Sequence, residues 1–174
     1  MKLFPIVFLV FSAFGFSKVN WMTMNEALTA QKKEPRKILM KSYTEWCPNC
    51  KWMDKYAFSK ADIATFINEN YYPVSFDAEG TEVINYKGAT YSNPFKKRND
   101  RAQHQFAEFI RIFEYPTLVF FDENGTIINP VPGKLDAKKL EIYITMLAGE
   151  IYKSINTGKK WNDYQSDFKY KLQG

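Results

Sequence analysis

The sequence holds one histidine and two cysteines. That scarcity removes several chemistries at once. A structural zinc site wants four ligands, most of them Cys and His, and His104 with two cysteines falls short. His104 lies among phenylalanines and reads as a surface or groove residue. A Ser-His-Asp set has no basis with one histidine and no nucleophile motif. Small domains that depend on disulfides for stability carry many cysteines, so a pair makes no scaffold. Glycine is sparse too, 8 in 174 residues, and no glycine-rich phosphate loop is present. There is no internal repeat and no low-complexity linker. Lys and Arg number 24 against 19 Asp and Glu, a net +5, too mild to predict a nucleic-acid stripe. The densest basic run, "KKRNDR" from Lys96 to Arg101, includes an aspartate and reads as a solvated loop.

Long apolar runs are missing as well, with one exception. "MKLFPIVFLVFSAFGFS" has a single lysine and then an almost unbroken apolar stretch from Leu3 to Phe16. Small residues follow at Gly15 and Ser17. This is the layout of a secretory signal peptide, and the run is short for a spanning helix, which needs about 17–25 residues. The expected organisation is a signal over residues 1–17 and one domain over residues 18–174. A short uncleaved anchor is the alternative. Export to the periplasm, or out of the cytosol by another route, places the cysteines where disulfides persist.

What is present in quantity is core-forming. Apolar residues make up 45% and aromatics 17%, enough for a sizeable core. "NWMTMNEALTAQKKE" has helical spacing, with Asn20 or Thr23 as cap and Pro35 as stop. "RKILMKSYT" reads as a buried strand. Pro48 opens a helix, and Ser59 opens another through "KADIATFINENY". A strand follows over Pro73 to Asp77, then a hairpin around Lys87-Gly88. "NDRAQHQFAEFIRIF" reads as a helix capped by Asn99 or Asp100, with Phe106, Phe109, Ile110 and Phe113 facing the core. "PTLVFFD" and "TIINPV" are strands joined by a tight turn. Asp136 to Ala148 is a helix ending before Gly149. The tail spaces Trp161, Tyr164, Phe168 and Leu172 helically, so it is expected to pack on the body. Strand and helix alternate first, then two strands pair directly. That order predicts an α/β sandwich with a mixed sheet.

Both cysteines fall in "YTEWCPNCKWM". With Pro48 as the first helical residue, Cys47 becomes the N-cap. Its sulfur then faces the unpaired N–H groups of the first turn and the positive end of the helix dipole. Thiolate is favoured there over thiol, so the pKa is expected below the free value of about 8.5. Cys50 lies one turn on, on the same side, within disulfide reach. An exposed, activated Cys47 with a deeper Cys50 suits two-step exchange. Closing so short a loop restricts the unfolded chain little, so a structural staple is the weaker reading. Two cysteines could also hold a soft metal such as Cu(I).

"WCPNCK" after a buried strand, with "YPTLVFFDENG" far downstream, resembles the thioredoxin superfamily. The likeness is strongest to exported bacterial thioredoxin-like proteins, including catalytic domains of envelope thiol–disulfide interchange proteins. It spans about Trp21 to Leu147. The implied fold is a thioredoxin-like α/β/α sandwich with a mixed central sheet, a hairpin insert and an extra C-terminal helix. The resemblance further implies a cis Tyr115–Pro116 bond facing the cysteines, which leaves the Tyr115 backbone free to pair with substrate, and places Trp46 on the rim. Pro48 and Asn49 form the active-site loop, and Asn49 departs from the Gly of thioredoxin. A second departure is Lys41, at the position of thioredoxin's buried aspartate, so the proton acceptor for Cys50 is open. Glu45 is near in sequence and is expected to be solvated. The third is an insert over about residues 79–98, a substrate-selecting flap or a decorative hairpin.

The resulting expectation is a monomeric thiol–disulfide oxidoreductase with no bound cofactor. Cys47 attacks, Cys50 resolves, and Trp46, Tyr115 and Pro116 meet the substrate. Reduction is the first choice of direction, with a membrane electron donor as partner. An oxidase or isomerase is the alternative within the class. A non-catalytic adaptor or Cu(I) metallochaperone is the alternative outside it.

Overall fold

The computed structural model describes residues 18–172. The signal expected over residues 1–17 lies outside them. Helix α1 spans Met24–Gln31, strand β1 Lys37–Tyr43, helix α2 Pro48–Met53, helix α3 Ala61–Asn70 and strand β2 Tyr71–Asp77. Strands β3 (Ile84–Tyr86) and β4 (Ala89–Tyr91) precede helix α4 (Gln105–Phe109). Strands β5 (Thr117–Phe121) and β6 (Ile127–Pro132) lead to helices α5 (Ala137–Ala148) and α6 (Gly158–Asp167). Among the described residues no helix is long and apolar enough to cross a membrane.

Four strands form one mixed sheet in the order β2-β1-β5-β6. β1 runs parallel to β2 and antiparallel to β5, and β6 is antiparallel to β5. Period-two alternation divides the sheet into two cores. Ile38, Met40, Val119 and Phe121 face one side, with α1, the β3-β4 hairpin and α4. Leu39, Leu118 and Phe120 face the other, with α2, α3, α5 and α6. Burial on both faces explains why "ILM" and "LVFF" are continuous apolar runs rather than alternating ones.

Local chemistry sets the ends of the elements. Thr23 and Glu26 form a reciprocal capping box at α1. The Asp136 side chain accepts the Lys139 N–H at α5. Lys87 and Gly88 both take positive φ, 49° and 82°, as the two-residue turn between β3 and β4 requires. Both edges of the sheet are modified. Met22 bridges to Val74 on the outer side of β2, and β6 carries Pro130 and Pro132, opposite Val119 and Thr117 of β5.

Four expectations change. α3 begins at Ala61 with Lys60 as N-cap, because the Ser59 hydroxyl turns back to donate to the Lys55 carbonyl. The helix predicted from Asn99 or Asp100 starts only at Gln105. Asn99 instead accepts the Arg101 N–H at 3.0 Å, closing a local turn that competes with helix. That shorter helix ends at Phe109 with Ile110 as its C-cap, and Phe113 is 82% exposed rather than core-facing, while Phe109 is 51% exposed with its ring still against Tyr91 and Phe106. His104 is fully buried, not a surface residue. It is the N-cap of α4, its Nδ1 accepting the Phe106 N–H at 3.0 Å. Nε2 must then carry the proton that it shares with the Glu82 carbonyl at 2.6 Å. Burial lowers the pKa of His104, consistent with a neutral ring.

The insert divides into two parts. The hairpin belongs to the core: Tyr86 is buried, donates to the Gly125 carbonyl at 2.7 Å, and packs edge-on against Phe106. The segment after it, from Asn93 to Gln103, runs to the cysteine end of the sheet. At the other end of the chain, Trp161, Tyr164 and Leu172 pack against the α3–α5 side, as the tail spacing predicts. The backbone N–H groups of Lys171 and Leu172 both donate to Glu141.

Candidate active site

Cys47 caps α2 from extended backbone, and Pro48 is the first helical residue. Pro fits there because its missing N–H is one that the helix leaves unpaired. The Cys47 sulfur accepts the Cys50 N–H at 3.1 Å. The two sulfurs are joined in a disulfide, with the Cα atoms 5.3 Å apart. The pair therefore forms within one helical turn, as the spacing predicts. One expectation fails: Cys47 is 2% exposed and Cys50 1%, so both are buried in this oxidised state. The sulfur of Cys47 is turned onto the first turn of α2 by its bond to Cys50 and by the N–H that it accepts. Pro48 and Asn49, between them, are exposed.

Trp46 stands beside the pair, half exposed. Its ring meets the Tyr115 ring edge-on, with centroids 6.4 Å apart. Its indole N–H donates to Glu79 at 2.9 Å, and the Arg101 guanidinium lies 5.1 Å over its face. Trp46 is thus held by residues from two loops distant in sequence. Nothing local in the sequence marks Glu79 as part of the site, and Arg101 lies inside the basic run that reads as a solvated loop.

The Tyr115–Pro116 peptide bond is cis. Pro116 is buried, and its carbonyl accepts the Gly133 N–H at 2.8 Å, which ties this loop to the end of β6. The Tyr115 hydroxyl accepts from Gln103 at 3.3 Å. Burial raises the phenol's pKa, and the Gln103 bond offsets part of that rise. Among the described residues no hydrogen bond engages the Tyr115 backbone, so its N–H and C=O are available to an extended chain.

Lys41 replaces a buried carboxyl with a buried ammonium. It is 4% exposed, and its Nζ donates to Asp54 at 2.5 Å. The rings of Trp21, Tyr43 and Phe58 surround it, with centroids 4.7, 5.2 and 5.7 Å away. Asp54 follows Cys50 by one turn, its N–H donating to the Cys50 carbonyl. Glu45 is exposed, as expected. Among the described residues no group of three or more His, Cys, Asp and Glu side chains is placed to hold a metal.

Comparison with known proteins agrees with this geometry. The thiol:disulfide interchange proteins DsbD of Photorhabdus laumondii and Pectobacterium atrosepticum are similar at 23% and 24% identity. The matches cover 74% and 76% of this chain but 19% and 20% of those proteins. The chain therefore spans about a fifth of the length of these curated relatives. A thioredoxin from Thermus thermophilus shares the fold, with a TM-score of 0.57 at 15% identity over 78% of this chain and 90% of that one. The profile of the thioredoxin-like domain matches residues 24–148, most of the sequence, and the chain belongs to that family.

Proposed function

We propose that the protein is a thiol–disulfide oxidoreductase of the cell envelope that reduces disulfides in other proteins. The observation that carries this reading is the Cys47–Cys50 disulfide at the start of α2, with the Cys47 sulfur already accepting an N–H bond. In the reduced protein the same N–H favours the Cys47 thiolate. That thiolate attacks a substrate disulfide, forming a mixed disulfide and expelling one substrate thiolate, which takes a proton from water. Cys50 gives up its proton and attacks Cys47. The S–S bond of the pair reforms and the second substrate thiol leaves. Two electrons pass from the pair to the substrate, so no bound cofactor is needed. A dithiol donor must then reduce the pair again, and a membrane thiol–disulfide protein fits a compartment poor in soluble reductant.

Among the described residues the Cys47 sulfur of the disulfide receives one backbone N–H bond and no side-chain donor; the direction of exchange is decided by the potential of the pair against that of its partners. Residues 1–17 act as the export signal in this reading, residues 18–174 form the working domain, and the protein functions as a monomer. Trp46, Tyr115 and Pro116 shape the groove that receives the substrate, and Pro48 and Asn49 form its loop.

The test is the equilibrium potential of the pair against glutathione, together with insulin reduction in the presence of dithiothreitol. A reductase has a potential toward the thioredoxin value of about −270 mV. A value near −120 mV, on the order of the strongest oxidants, overturns the direction. Cys47→Ser abolishes turnover, whereas Cys50→Ser accumulates mixed disulfides with substrates. Tight Cu(I) binding without any turnover would replace this reading with that of a metallochaperone.

A further inference from the structure

We propose that Arg101 is a specificity-determining residue that selects substrate segments carrying a carboxylate beside the target cysteine. The inference rests on thiol–disulfide exchange at Cys47.

The placement of the charge comes first. Arg101 is exposed and lies over the face of Trp46, the residue before Cys47. Any segment that brings a disulfide to Cys47 along the Tyr115 backbone passes Trp46. The guanidinium is therefore within a residue or two of the reacting sulfur, on the rim and not on a remote surface.

Its position is held. Asn93 donates to the carbonyl of Ala102 at 2.7 Å and to that of Glu79 at 3.2 Å, from a side chain that is itself buried. Gln103 donates to the Ile112 carbonyl and to the Tyr115 hydroxyl. Arg101 sits between these anchors, with its own N–H bound to Asn99. The loop thus presents the cation from a backbone fastened to both walls of the groove.

The charge is also unmatched. Among the described residues Arg101 enters no ion pair. Glu79 spends one carboxyl oxygen on the Trp46 indole. Residues 96–101 hold Lys96, Lys97, Arg98 and Arg101 against Asp100 alone. An arginine fork stacked on an aromatic face keeps its in-plane N–H groups free, and these match a carboxylate bidentately. Lysine would hold the face less well and would lack the fork. The chemistry that completes this rim is a glutamate or aspartate in the incoming segment.

The experiment uses three disulfide-linked reporter peptides, identical except for Glu, Gln or Lys next to the cysteine. The reduced full-length protein reduces each at low ionic strength and at about 0.3 M salt, where exposed charges are largely screened. For one rim ion pair the Glu peptide is expected to react about threefold faster than the Gln peptide at low salt. Against the Lys peptide the ratio is expected to reach roughly tenfold, because like charge repels. Added salt removes both ratios. Arg101→Gln equalises the three peptides, Arg101→Glu inverts their order, and Arg101→Lys keeps a weaker preference for Glu.

A merely structural clamp gives a different pattern. Arg101→Gln then slows all three peptides alike, and the wild-type ratios persist. Either that result or equal wild-type rates overturns the assignment of Arg101 while leaving exchange at Cys47 intact. Failure of the wild-type protein to reduce any peptide overturns the proposed reductase activity, and this inference with it.

Discussion

Replacing Asp54 by alanine leaves the Lys41 ammonium buried without its partner. The Lys41 side chain is 5% exposed and that of Asp54 48%. Removing one member of a fully buried pair costs about 3–5 kcal/mol. Two features reduce that figure here. Water reaches the Asp54 side and can partly solvate the stranded ammonium. The Trp21, Tyr43 and Phe58 rings remain, and cation–π contacts retain about 0.5–2 kcal/mol each, depending on how dry they are. The expected loss for Asp54→Ala is therefore about 2 kcal/mol, a drop in Tm of roughly 4–8 °C for a chain of this size. Lys41→Met removes the charge and keeps the length and the ring contacts, so it is expected to cost less than about 1 kcal/mol. The double variant should match Lys41→Met, because the ion that made the first substitution costly is gone. Urea unfolding of the three variants and the wild type closes the cycle. The reasoning fails if Lys41→Met is the more damaging single change, or if the two losses add.

Three further outcomes are expected. Stability should fall as pH drops through the His104 window, since burial holds the folded imidazole below its ordinary 6.5. The unfolded chain then takes the proton first, and the loss levels off once the folded ring titrates. The hydrogen bond to the Glu82 carbonyl, then Asp77 and Glu108, oppose the shift, and a His104→Gln variant should flatten the urea-measured profile in this range. Trp46→Phe keeps a ring against Tyr115 and Arg101 but deletes the donor to buried Glu79, so a loss of about 1–3 kcal/mol in urea unfolding is expected. A neutral result there would mean that Glu79 finds another partner or water. Glu141→Ala removes the acceptor for the Lys171 and Leu172 amides. Hydrogen exchange at those two amides should accelerate strongly while the sheet amides stay protected.

What could be read from the sequence follows the range of the interactions. Cys47 and Pro48, Thr23 and Glu26, Asp136, and the Lys87-Gly88 turn each satisfy needs within about four residues. All of them appear where their residue types predict. The continuous apolar run of β1 likewise points to a buried strand, and that of β5 to a strand. Asn99 shows the limit of local signals: the same side chain can cap a helix or close a turn, and here it closes the turn. His104 depended on Glu82 and Phe76, 22 and 28 positions earlier, to become a buried cap. Lys41 marks a departure from thioredoxin that leaves the proton acceptor for Cys50 open, and only the fold shows Asp54 and three rings making a site for its charge. The Trp46–Glu79 bond spans 33 positions, and no periodicity encodes it.

The treatment of the two sheet borders limits how other chains can join this one. A strand arriving outside β6 finds no amide hydrogen at residue 130 or 132, since proline has none. A strand arriving outside β2 meets Met22 already hydrogen-bonded to Pro73 and Ser75. Lateral growth into fibrils is thereby discouraged on both flanks. Among the described residues the Tyr115 backbone, in the loop before β5, is left without a hydrogen bond, so main-chain pairing is open there and discouraged along both borders.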